Sequence, residues 1–153
     1  MASLTVYAGA GDGFIGNSGT DRATVGNASS GNNPINGSIY LEPAVSLIGG
    51  TYTIDRVFLP FDTSSLPDDA TINSATLSIY ITTLVNDDGG DRKIQLILTT
   101  QASTSTLVDD DYDQVGTTQQ ATQIGMPSIT TSAYNTFTLN ATGRGWISKT
   151  GIS

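Results

Sequence analysis

Cysteine and histidine are absent from the 153 residues, and that removes the parts on which most familiar enzymes rely. There is no disulfide, no thiolate nucleophile, no Cys/His zinc site and no imidazole general base. Basic residues are scarce: 6 Lys and Arg stand against 14 Asp and Glu, a net charge of −8. This balance argues against nucleic acid and anionic membrane surfaces as partners, because both select Lys/Arg stripes. No apolar run approaches the roughly 20 residues of a transmembrane helix, so no membrane insertion is expected. The opening MASLTVYAGAGDG lacks a basic region followed by an apolar one, so no signal peptide is expected in this chain. Charged residues make up only 13% of the chain, and the polar surface must come from Thr, Ser, Asn and Gly. Thr suits the exposed face of a sheet, whereas Gly and Asn suit tight turns.

What the sequence does have is alternation. Val57, Leu59 and Phe61 alternate with Arg56, Phe58 and Pro60, and Ala75, Leu77, Ile79 and Ile81 alternate with Thr76, Ser78, Tyr80 and Thr82. A period of two over this length predicts strands with one face in a core. The corner between them, FDTSSLPDDATI, predicts an Asx-type turn in which Asp62 accepts from the amides of Ser64 and Ser65. Pro67 fixes φ, and Leu66 is placed to plug the open end of the core. Arg56, Phe61, Asp62, Leu66, Pro67, Leu77 and Ile79 are therefore read as scaffold.

Taken in order, the chain predicts short strands at Leu4–Tyr7, Ala23–Val25, Ile39–Leu41 and Ala44–Ile48, with Gly49-Gly50 as a turn. GAGDGFIGNSGTD reads as repeated turns and GNASSGNNPING as a polar loop. NDDGGD (86–91) reads as a hairpin turn between Ile81 and the strand around Ile94, Leu96 and Leu98. Residues 101–123 read as a long surface connection anchored by Leu107, Val108, Tyr112 and Val115. Tyr134–Leu139 is a strand with Phe137 and Leu139 inward, and ATGRGWI forms one helical turn with Trp146 and Ile147 closing the core. The final SKTGIS leaves little for a closing strand, which is expected to be incomplete. With no sustained 3.6 period and no internal repeat, residues 1–153 read as one all-β domain: a jelly-roll-like antiparallel β-sandwich with long loops.

Chemistry-bearing patterns are few. Gly11–Gly16 spells GxGxxG, but turn formers follow it instead of a helix, so no dinucleotide site is expected. Asp109, Asp111 and Asp113 have the alternate spacing of a calcium loop, without the glycine and terminal acid of an EF-hand. Asp87, Asp88 and Asp91 form a second acidic cluster, and Asp12, Asn17 and Asp21 a third. For each, a solvated acidic turn competes with a structural calcium site, and the turn is preferred. Glu42 and thirteen aspartates supply carboxylates, but nothing marks two of them as an acid–base pair. Lys93 and Lys149 lie in no Ser–Lys motif. Arg56 is either a ligand clamp or, preferably, paired with Asp62 or another Asp. Among the aromatics, Tyr80, Tyr112 and Trp146 are the candidates for stacking sugars, Tyr80 being the best placed because it falls on a Thr/Ser face.

The run RVFLPFDTSSLPDDATINSATLSIYI (56–81) resembles DNRLRE-type β-sandwich domains in its Arg, apolar strand, Phe-Asp, Ser-Leu-Pro corner and Ile-x-x-Ala-x-Leu strand. FTLNATGRGWI is similar to that family's late turn. The resemblance implies a jelly-roll-like sandwich of bacterial surface and phage virion proteins, some of them carbohydrate-binding, with no catalytic motif to carry over. The resulting expectation is a non-enzymatic structural or adhesion module on a virion surface or in an extracellular setting. Its partners would be copies of itself or other surface-assembly proteins. The alternative is a carbohydrate-binding module for a cell-surface glycan, from a larger secreted protein.

Overall fold

The computed structural model describes residues 3–38, 40–86 and 90–149. The chain divides by its contacts into two compact units. The first takes the chain up to Asp68, then Thr99–Gly116 and the segment from Ser148; the second is Asp69–Leu98 with Thr117–Ile147. Where one domain over 1–153 was expected, neither unit is a contiguous stretch, and two of the crossing points fall inside strands. No composition shift marks such a boundary.

In the first unit, β1 (Gly13–Gly19), β2 (Asn32–Asn36), β3 (Ala44–Ile48) and β4 (Thr51–Phe58) form one antiparallel sheet in the order β2-β1-β4-β3. β1 runs through the glycine-rich segment read above as turns. Its glycines answer to close approach rather than to positive φ: a methyl at Gly13 would overlap the Ile35 carbonyl, and one at Gly16 would overlap the Asp55 carboxylate. β2 likewise replaces an expected loop. β3 and the Gly49-Gly50 turn are as predicted, with φ of +58° and +82° and Ile48 paired to Thr51, a two-residue hairpin. The expected strand at Leu4–Tyr7 is reduced to a single bridge between Ala8 and half-buried Phe61. Of the strand expected at Ile39–Leu41, Tyr40 and Leu41 are not in a strand, and Ile39 lies outside the described residues.

Ala23–Val25, expected as a strand, belongs to a helical turn, α1 (Arg22–Gly26). Asp21 decides this by accepting from Thr24 N at 2.7 Å and Thr24 Oγ1 at 2.8 Å, as an N-cap does. Directly opposed residues share a face of the sheet, so Gly13, Ile15, Phe58, Arg56, Ile54, Tyr52, Val45 and Leu47 lie on one side. Over β1 and β4 this side is covered by α1, through buried Val25, and by Leu107 and Tyr112. Ile15, Phe58, Leu107 and Tyr112 form the core cluster, each at most 1% exposed. Burial of each contributes about 2 kcal/mol. The cover of this face within the unit is thus helix and loop. The all-β, antiparallel expectation holds.

The corner after β4 carries the predicted Asx turn, Ser64 N donating to Asp62 at 2.9 Å. Thr63, rather than half-buried Leu66, is the buried residue here, and its hydroxyl donates to the Ser148 carbonyl at 2.7 Å. Pro67 is exposed.

In the second unit β5 (Thr76–Ile81) pairs with a distant strand rather than with its neighbour in sequence. The short strands are β6 (Lys93–Ile94), β7 (Ile97–Thr99), β8 (Val115–Gln119) and β9 (Ile124–Gly125), followed by β10 (Ala133–Thr138) and α2 (Ala141–Gly145). β5 pairs with β10, β6 with β9 and β7 with β8. The expected 86–91 hairpin therefore does not join β5 to β6 in one ladder, and residues 87–89 lie outside the described residues. Leu77 and Ile79 oppose Phe137 and Asn135, the last two buried. Asn135 fixes the turn before β10 by accepting from Thr130 N at 2.9 Å and donating to Thr130 O at 2.8 Å. Asn140 caps α2 by accepting from Gly143 N at 2.8 Å. The helical turn forms as expected, but the face it buries is Gly143, and Trp146 remains 55% exposed instead of closing the core.

Candidate functional site

Arg56 and Tyr112 form the most heavily constrained cluster. Arg56 lies on the core-facing side of β4, its guanidinium 4.1 Å from the centre of the Tyr112 ring. Its two terminal nitrogens donate to the carbonyls of Tyr112 and, at 2.6 Å, of Gly26. Neither Asp62 nor another aspartate pairs with it among the described residues, so the expected ion pair is replaced by carbonyls and a ring face. A stacked, doubly donating guanidinium is held in place and has little left for a ligand. Tyr112 is fully buried, and its hydroxyl donates to the Val25 carbonyl at 3.1 Å. Burial pushes the phenol's pKa up, more than Arg56 lowers it. Tyr112 therefore has no exposed face for a sugar, and its place among the stacking candidates is corrected to core.

The aspartate cluster that spaces like a calcium loop is a 3-10 turn, Asp109–Asp113. Asp111 is 1% exposed, and its two carboxylate oxygens accept from Val108 N and Ala102 N, each at 2.9 Å. Asp109 and Asp113 are exposed, so the three carboxylates do not converge. Asp91 is also exposed and pairs with Lys93 at 3.5 Å; Asp87 and Asp88 lie outside the described residues. In the first loop Asp21 is used as a cap, and Asn17 donates to the Ser30 carbonyl at 2.8 Å. Among the described residues no group of three or more acidic side chains is arranged to hold a metal.

The acidic contact that sequence reading passed over is Asp55 with Glu42. Asp55 is half-buried above Gly16, and burial, then the Glu42 carboxylate, raises its pKa above 3.8. The concavities beside α1 are lined mainly by small, hydroxyl and amide side chains. Their one carboxylate, Asp21, is occupied as the cap. They offer no acid–base pair.

Two surfaces remain. On the outer face of the β5–β10 pair, Tyr80 and Tyr134 are directly opposed, 51% and 71% exposed, with ring centres 5.2 Å apart at 76°. Beside them Ser78 and Thr136 share a 3.0 Å hydrogen bond. The exposure of Tyr80 follows from its Thr/Ser face. Its partner could not be found from sequence, because the register is non-local. Trp146 is exposed as the C-cap residue that follows α2.

The second surface is the β3 edge of the four-stranded sheet. Val45 and Leu47 continue the core-facing side of β4 past its cover, and are 43% and 56% exposed; Ile48, on the other side, is 77% exposed. The opposite edge, β2, carries Pro34, Asn33 at φ +53° and a register shift against β1. These are devices that blunt an edge; β3 contains none of them.

No helix among the described residues is long and apolar enough to cross a membrane. Compared with family models, with curated proteins and with solved structures, the chain finds no match.

Proposed function

We propose that this protein is a non-enzymatic structural or adhesion module, displayed on a phage virion or extracellular filament surface, that works by association with copies of itself or with other surface-assembly proteins. One observation carries the reading. Among the described residues, Val45, Leu47 and Ile48 stand exposed together on one edge strand, β3. An apolar strip on an open sheet edge is characteristic of a face that a partner covers. The occupied state of Arg56, Tyr112 and Asp111 supports the same reading, because the polar groups best placed for chemistry serve the scaffold. Sedimentation velocity over a rising concentration series tests it. The expected result is a shift to a defined larger species, and a single monomeric boundary throughout contradicts it.

A carbohydrate-binding module is the second reading, favoured by the exposed Tyr80–Tyr134 pair beside the Ser78 and Thr136 hydroxyls. Sugar rings stack on a flat aromatic face. The edge-to-face rings present one such face rather than a coplanar platform. Binding on a glycan array that Tyr134→Ala abolishes is what this reading predicts.

A further inference from the structure

We infer that β3 is the contact itself, pairing antiparallel with β3 of a second copy about a two-fold axis centred on Ser46. This rests on the assembly reading above and makes its interface specific. Among the described residues no strand pairs with the outer side of β3, so this edge presents backbone N–H and C=O groups, whereas the other edge of the sheet is protected. A two-fold through Ser46 is the one antiparallel register that pairs all five residues of the strand. It sets Val45 against Leu47 of the second copy and Ala44 against Ile48, so each exposed apolar side chain meets another. Tyr52 and Ile54 on β4 lie on the same side as Val45 and Leu47, and the pairing continues their apolar strip from one copy into the next.

Charge selects the occupant and the direction. The chain carries −8, yet residues 43–54 contain no charged side chain and are flanked by Glu42 and Asp55. A second copy can therefore approach here without setting carboxylate against carboxylate. In the antiparallel register Glu42 falls opposite Gly50 of the second copy. A parallel arrangement would instead place the two Glu42 side chains together, which is unfavourable. Strand addition by backbone hydrogen bonds is an established way for an open edge to bind.

The absence of cysteine makes the register directly measurable. Ser46→Cys in the full chain should form an intermolecular disulfide under mild oxidation, because directly opposed Cα atoms lie at about 4.5–5.5 Å, within disulfide reach. Ser105→Cys, exposed elsewhere on the same unit, serves as the collision control and should cross-link far less. The double substitution Val45→Lys/Leu47→Lys places like charges opposite each other twice and should raise the dissociation constant about tenfold or more, with an unchanged circular dichroism spectrum. If Ser46→Cys cross-links no faster than Ser105→Cys while the wild-type chain still sediments as an oligomer, the β3 pairing is wrong and the assembly reading stands. If the wild-type chain is monomeric at every concentration, both fail.

Discussion

At the scale of single residues, three of the candidates for chemistry, Arg56, Tyr112 and Asp111, are bound into the scaffold. Replacing Arg56 by Met leaves the Tyr112 and Gly26 carbonyls without their donor and removes the cation over the ring, and should cost about 2 kcal/mol. A urea unfolding midpoint measures it; no change would mean that the guanidinium contacts carry no weight. Asp111→Asn turns one of two amide-accepting oxygens into a donor facing a donor, at a cost of about 1–3 kcal/mol. Asp109→Asn and Asp113→Asn should leave the melting temperature unaltered, with calcium or with chelator, because their side chains are exposed and converge on nothing. Asp55 acts in the opposite sense. Its raised pKa means that the fold disfavours the charged form, so the penalty is full above the raised value. It is relieved as pH falls through that value towards 3.8. Asp55→Asn should therefore raise the melting temperature at neutral pH and lose that advantage at about pH 3. Asp21 and Asp62 are held low, chiefly by Thr24 and Ser64 respectively. Their stabilisation is present above 3.8 and is lost as pH falls through their lowered values.

At the scale of elements, what could be read from the sequence was what local periodicity encodes. β5, β10, the Gly49-Gly50 hairpin and the Asp62 turn follow from period-two alternation or turn chemistry within a few residues. β4 follows only as a strand: it ends at Phe58, and Arg56 and Phe58, rather than Val57 and Leu59, face the core. β1 could not be read, because its glycines resemble turn formers although the fold uses them to let Ile35 and Asp55 approach. The pairing of β5 with β10 was equally hidden, since partners 52 (Ile81 and Ala133) to 62 (Thr76 and Thr138) positions apart leave no local trace. The same holds for the candidate surfaces. AVSLI reads as a strand, but its edge position depends on β4 and β1 lying beyond it in the sheet. Leu107 and Tyr112 read as anchors of a surface connection, and only their contacts with Ile15 and Phe58 make them core. The glycine account is testable by contrast. Gly13→Ala drives a methyl into the Ile35 backbone and should cost about 2 kcal/mol or more. Gly145→Ala, at the end of α2 with open space around it, should be neutral or stabilising by under about 1 kcal/mol. Equal effects at both positions, measured by thermal unfolding, would contradict the close-approach argument.

For the whole molecule, the described residues hold a small core, no convergent catalytic or metal-binding set, and apolar side chains left in water along one unguarded edge. These features fit an acidic surface module whose function is completed by another copy. The measurement that bears most directly on this is the mass of the particle in solution, by light scattering coupled to gel filtration, with and without calcium. The account predicts a defined oligomer whose mass is indifferent to calcium and falls when Val45 and Leu47 are both replaced by Lys. A clean monomer at high concentration would contradict it and move the weight to carbohydrate binding at Tyr80 and Tyr134.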